Sequence, residues 1–336
     1  MGTVMKAMAV PVFVLLLASH VGACSVLRAD SSLLRFEFRQ PHMGTMVRVV
    51  LYSRDEDVAR EHARRAFARI AELDARLTDY GDTSELLELS RAAGGAPRKV
   101  SEDLFCVLEV AHRLSERTGG AFDVTIGPVS TLWRRARIDK QPPPAAALAE
   151  AQRLVGYRDM QLDAKARTVR LARRGMQLDL GGIGKGFAAD EALKVLRESG
   201  ARPALVSLGG DIVTGDPPPG KAGWQIAIGP LGKAAVESRV IRNSAVSTSG
   251  DAEQFLEHEG QRLSHVLDPL TGRPKIGRKG VTVIAADGMT ADALSTAVGV
   301  MGVERGLALV DDTPHAAALY VEMTPDGVKQ HRSKRW

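Results

Sequence analysis

Residues 178–190 read LDLGGIGKGFAAD, placing four glycines and one lysine between Asp179 and Asp190, and then run into a helical apolar pattern. Free backbone N–H groups at such a strand-to-helix junction can approach a phosphate, and Lys185 adds an ammonium beside them. This is not a P-loop, because Gly186 follows Lys185 where Ser or Thr is required, and it is not GxGxxG. A tight structural turn with a solvated lysine is the alternative. A second segment, MTADALSTAVGVMG (289–302), puts Thr290 at a capping position, Asp292 in the first helical turn and Thr296 four residues on, with Ser295 beside it. A carboxylate and a hydroxyl on one helical face are hard oxygen donors of the kind Mg²⁺ accepts; compensation of the helix dipole by Asp292 is the plainer reading. A third segment, SHVLDPLTGRP (264–274), is a turn by composition, and its His265 is either a general base or a satisfied structural group. SLGGDIVTG (207–215), STSGDAEQF (247–255), GGAFDVTIGP (119–128) and MGTMV (43–47) add further loops rich in glycine with aspartate or threonine.

Periodicity indicates the elements that must position these residues. TMVRVVLYS (45–53) alternates as a strand, and Asp55 to Leu77 reads as a helix with Phe67, Ile70 and Leu77 on one side. Ser101 caps a second helix, whose Leu104, Val107, Leu108, Ala111 and Leu114 repeat at helical spacing until Thr118-Gly119-Gly120. Cys106 falls in this pattern as a core residue. Gln141 and the three prolines after it form a loop into a short helix. MQLDL (176–180) and ALVSL (204–208) read as strands bracketing the helix that starts in the glycine segment, buries Ala188, Ala192 and Val195, and ends at Gly200. WQIAIG and VTVIAA read as strands, Ala291 to about Val310 as one helix, and AALYVEM as a closing strand. Strands and helices intermix without βαβ regularity or internal repeat, so the expected class is α+β with mixed sheets and packed helices.

The chain has 336 residues, 44% hydrophobic and 25% charged, which suits a globular body with a substantial core. Its net charge of +5 comes from the ends: four basic residues in the last eight, and Lys6. The body between them is neutral and carries no basic stripe with interleaved aromatics, so nucleic acid is not an expected partner. Lys6, the apolar run Met8–Ala18 and small residues before Cys24 make residues 1–23 a signal peptide. Val21-Gly22-Ala23-Cys24 resembles a lipobox, with Cys24 the lipidated mature N-terminus; a plain signal peptide is the alternative. The expected organisation is a leader over 1–23, a tether over 24–40, one catalytic domain over 41–328 and a basic tail over 329–336. No CxxC, HExxH or GxSxG occurs.

Taken in order, the segments from Met43 to Gly302 resemble the ApbE family, the FAD:protein FMN transferases. The resemblance implies an enzyme that uses Mg²⁺ and FAD, cleaves the FAD diphosphate, and joins FMN through a phosphoester to a threonine of an exported protein. AMP leaves, and typical acceptors are subunits of membrane redox complexes. It further implies that Met43 borders the flavin and that Tyr80, in LTDYGDTSE, is an aromatic beside the isoalloxazine. Ala121, Phe122 and Asp123 would line the FAD site, Asp179 would hold FAD, and Lys185 would lie near its phosphates. Gly182 would bind metal through its carbonyl, Asp292 and Thr296 through side chains, with Ser295 standing where some members have aspartate. His265 would lie at the FAD site.

Phosphoryl transfer needs positioning and charge stabilisation, together with a proton acceptor for the attacking hydroxyl, worth about 10²–10⁴-fold. His265 is the first choice as acceptor and Asp251 the second. Two rival readings share the glycine loops: an FAD pyrophosphatase yielding FMN and AMP, and a non-catalytic flavin-binding lipoprotein. The expected location is the periplasmic face of a bacterial membrane, reached through the lipid on Cys24.

Overall fold

The computed structural model describes residues 33–229, 231, 237–250 and 255–336. The leader, Cys24 and Asp251 therefore lie outside the described residues. Eight helices are present among those described: α1 (Glu56–Leu77), α2 (Glu85–Arg91), α3 (Glu102–Thr118), α4 (Gly127–Asp139), α5 (Ala145–Gln152), α6 (Gly184–Glu198), α7 (Gly288–Met301) and α8 (Val303–Asp311). They pack with a central eight-stranded sheet in the order Leu34–His42, Thr45–Ser53, Ala204–Leu208, Asp211–Thr214, Ser244–Gly250, Lys279–Ala285, Ala317–Thr324, Gly327–Arg332. Every neighbouring pair in it is antiparallel. The class is α+β, as the sequence indicates.

The sheet is buried on both faces. Val47, Val49 and Leu51 point into the main core with α1, α6 and α7, while Val50 points the other way, against Leu205, Trp224, Ile226 and Ile241. The second face is covered by the two-stranded ladder Trp224–Ile228 with Glu237–Ile241. A separate three-stranded sheet, Phe255–His258, Gln261–Asp268 and Arg273–Ile276, carries His265 and packs on α7.

Side chains cap the starts of α1, α2 and α3, and Ser101 does so where the sequence places it. Asp55, Ser84 and Ser101 each accept a backbone N–H of their helix's first turn. Five expectations are corrected. Residues 176–180 have the buried alternation of a strand, with Met176, Leu178 and Leu180 inside, but no ladder. Their N–H groups go instead to separate partners, Leu178 to the Ser90 hydroxyl and Asp179 to the Val124 carbonyl, which stitches the segment to α2 and to the loop before α4. The helix expected over 291–310 is two helices, because Gly302 (φ 82°) breaks it between Met301 and Val303. Asp287, not Thr290, caps α7: its carboxylate accepts the N–H and hydroxyl of Thr290. The tether does not reach residue 40, since Leu34–His42 is a strand of the main sheet. Nor are residues 329–336 a free tail. Lys329–Arg332 lie in the last strand, Ser333 is buried, and the Arg335 guanidinium donates to the carbonyls of Val310, Asp311, Thr313 and Ala316.

Candidate active site

The glycine segment is a bend in which the Leu180 carbonyl accepts from both Ile183 and Gly184 before α6 begins. No side chain caps α6, so its first amides turn to other partners. One of them, Gly186 N, donates to Asp292 Oδ2 on α7 at 3.1 Å. That contact requires glycine: a Cβ on Gly186 would lie 2.1 Å from the Gly288 carbonyl oxygen and 2.8 Å from Asp292 Cβ. Asp190, one turn further along α6, accepts the N–H groups of Gly288 and Met289. The two helix starts are thus locked together.

α7 is buried on almost every side, which puts Asp292 and Ser295 at 2% and 0% exposure. Thr296 Oγ1 lies 3.2 Å from Ser249 Oγ, and a Cβ on Gly182 would lie 3.0 Å from that same threonine oxygen. Gly182, Asp292, Ser295 and Thr296 are therefore brought together from two helix starts over 100 residues apart. Ser295 is already engaged, with its hydroxyl between Ser247, Ser249 and the Asp292 carbonyl.

Lys185 extends into this cluster. Its Nζ is 3.2 Å from Asp211, 3.6 Å from Asp292 and 3.0 Å from the Gly181 carbonyl. Burial opposes the ammonium, but the two carboxylates outweigh it and hold Lys185 well above the ordinary lysine range. Burial, with Asp211 adding to it, pushes Asp292 far above the usual carboxylate range; Lys185 opposes. Two carboxylates share one ammonium: Asp211 Oδ2 at 3.2 Å and Asp292 Oδ2 at 3.6 Å both face Lys185 Nζ. Such a pocket, carrying excess negative charge and hard oxygen atoms, suits a divalent cation. Among the described residues no group of three or more His, Cys, Asp or Glu residues is placed to hold a metal ion by itself.

Of the other expected residues, Met43 and Asp179 adjoin the glycine bend, and Tyr80 is tied to it through Arg134. Met43 (φ 50°) donates its N–H to Asp74, and its Cε faces Gly184 at the start of α6. Tyr80 is 66% exposed, with the Arg134 guanidinium 4.6 Å from its ring centre. Asp179 accepts from Gly181 N and from Arg134. Ala121, Phe122 and Asp123 have buried side chains. Asp123 spends its carboxylate on Thr125 and on the Tyr157 amide, so this segment shapes a wall from behind. His265 is half-buried, and the adjacent Val266 packs with Ala121 and with Val300 of α7. A concavity of about 410 Å³ adjoins the segment, lined by Gly119, Gly120, Tyr157, Pro269 and Leu270 among others.

Sequence reasoning gave no role to Asp211, Ser247, Ser249, Asp79 or Arg134. The first three lie in SLGGDIVTG and STSGDAEQF, whose glycine-aspartate character was the available signal. Arg134 carried none.

The site is thus a buried acidic and hydroxyl pocket beside an uncapped helix start on an α+β scaffold. Comparison with known proteins gives the family that shares this scaffold. Residues 43–320 match the ApbE family, and the chain belongs to it. The FAD:protein FMN transferase of Treponema pallidum is 35% identical over 298 residues, covering 83% of this chain and 82% of that protein. The Haemophilus influenzae protein of the same name is 35% identical over 266 residues, with 76% of each covered. The crystal structure of the ApbE protein from Thermotoga maritima superposes with a TM-score of 0.80 at 31% identity, covering 90% of this chain and 98% of that one. The Vibrio cholerae flavin transferase ApbE gives 0.80 at 28% identity, with the same coverage.

Proposed function

We propose that this chain transfers FMN from FAD to a threonine hydroxyl of an exported acceptor protein, releasing AMP, with Mg²⁺ bound at Gly182, Asp292 and Thr296. The observation that carries the reading is the convergence of those three residues with Lys185 at the uncapped start of α6. ApbE membership and relatives named FAD:protein FMN transferase support it.

Bound Mg²⁺ would supply neutralisation of the diphosphate charge. The chain's own groups do the rest. Lys185 sets a fixed positive charge beside the bend, and the bonds that hold the amides of Gly181, Ile183, Gly184 and Gly186 keep the backbone around it preorganised. In the reaction the threonine oxygen forms a bond to the FMN phosphorus, and the bond from that phosphorus to the bridging oxygen breaks. AMP departs with the bridging oxygen, and the hydroxyl proton passes to a base. His265 takes that role in this reading, with Asp251 second. Tyr80, exposed beside the bend, offers its free face to the isoalloxazine. The acceptor is a subunit of a membrane redox complex, and a lipid on Cys24 holds the enzyme at the periplasmic face. No described helix is long and apolar enough to cross a membrane.

The test is incubation with FAD, Mg²⁺ and a threonine-bearing acceptor, followed by in-gel flavin fluorescence and AMP assay. A labelled acceptor with matching AMP supports transfer. AMP and free FMN without label would make the chain a pyrophosphatase, and flavin binding without AMP would make it a carrier.

A further inference from the structure

Helix α4 touches four of the sequence segments at once. It begins at Gly127, four residues on from Asp123. Its Trp133 Nε1 donates to the Gly272 carbonyl in the turn that follows His265's strand, at 2.8 Å. Its Arg134 forks, one nitrogen 2.5 Å from Asp79 in the Thr78–Ser84 loop, the other 2.5 Å from Asp179 at the entrance of the glycine bend. The same guanidinium backs the Tyr80 ring. All three charged side chains are largely shielded, at 22% exposure for Arg134, 14% for Asp79 and 11% for Asp179. Asp179's other oxygen holds Gly181 N, so the fork is one bond away from the bend itself.

We infer that Arg134 is a positioning residue that clamps the Tyr80 loop to the glycine bend and so fixes the spacing between the flavin-stacking ring and the phosphate cradle; this rests on the flavin reading above. A planar fork can bridge two carboxylates in a way that an ammonium cannot. Without it, Asp79 and Asp179 would face each other unbridged, repelling one another and the incoming diphosphate. Burial, with Asp179 adding to it, already lifts Asp79 above the usual carboxylate range against the pull of Arg134.

The test is FAD affinity by flavin fluorescence quenching, with KM and kcat measured separately, on wild type, R134Q, R134K and the double variant D79N/R134Q. Loss of a charge-assisted fork should weaken FAD binding about tenfold or more in R134Q, with KM rising more than kcat falls. R134K should fall between wild type and R134Q. The double variant, which lacks the fork but leaves no unbridged Asp79 charge, should stay nearly as weak as R134Q, and it carries the test if R134Q alone folds poorly. FAD affinity in R134Q within about twofold of wild type, or a double variant restored to wild-type affinity, would overturn the clamp. Wild-type protein that binds no FAD would overturn the flavin reading and the clamp with it.

Discussion

At Asp292, burial and charge oppose one another. The carboxylate is 2% exposed, shares the Lys185 ammonium with Asp211, and keeps one amide donor from Gly186. Removing it relieves a surplus of buried negative charge but removes an anionic metal ligand. D292A is therefore expected to stay folded, to lose Mg²⁺-dependent turnover by about 10²-fold or more, and to lose any rise in melting temperature that Mg²⁺ gives wild type. Thermal melts with and without Mg²⁺ check this, and an undiminished Mg²⁺ shift would contradict the metal assignment. K185M acts in the opposite sense. It leaves two buried carboxylates without a counter-charge, so metal-free K185M should lose about 3 kcal/mol in urea melts, with added Mg²⁺ recovering part of it.

At the scale of elements, the site exists because α6 and α7 meet at their first turns. G186A forces a methyl onto the Gly288 carbonyl and should destabilise by about 1–3 kcal/mol, as overpacking does, read from the urea midpoint. Asp190 makes the same junction pH-dependent. Burial lifts its carboxyl to about 7 from 3.8, with Asp287 and Glu191 adding to the rise and the Gly288 and Met289 amides opposing it. A folded pKa raised above the unfolded one means that the native state binds the extra proton. The contribution is complete below about pH 4 and is lost as pH climbs through about 7. D190N should therefore gain on wild type between pH 5 and pH 8, and melting temperatures at the two values test it; a constant difference would refute it. Much of this junction was legible in the sequence, because four-residue spacing alone puts Asp292 and Thr296 on one face, and glycines crowd where backbones touch. Arg134 was not legible. It sits in WRRARID among three arginines of like appearance, and only the fold separates it from Arg135, which is 73% exposed and pairs within its own helix with Asp139. Residues 176–180 misled for a related reason: alternation reports burial, and whether a ladder partner lies alongside is a tertiary matter.

For the whole molecule, the antiparallel sheet closes at its far edge through the C-terminal residues, which composition alone presents as a solvated basic run. Arg335 instead supplies donors to four carbonyls around the end of α8, and Trp336 donates to Glu237. R335A should cost about 1–3 kcal/mol by stranding those acceptors, measured by urea unfolding, while FAD affinity stays at the wild-type level because the site lies at the other helix starts; an unchanged midpoint would return the segment to a surface role. The overall alternation of strand and helix was readable, and the first strand carries a local signal too: Leu34, Phe36 and Phe38 alternate, and the two-residue turn Met43-Gly44 returns the chain to the second strand. The most direct measurement of the central claim is the mass of an exported redox-complex subunit after incubation with this protein, FAD and Mg²⁺. FMN bound through phosphoester to a threonine, with AMP released in equal amount, is the expected result; an unmodified subunit beside free FMN and AMP would contradict it.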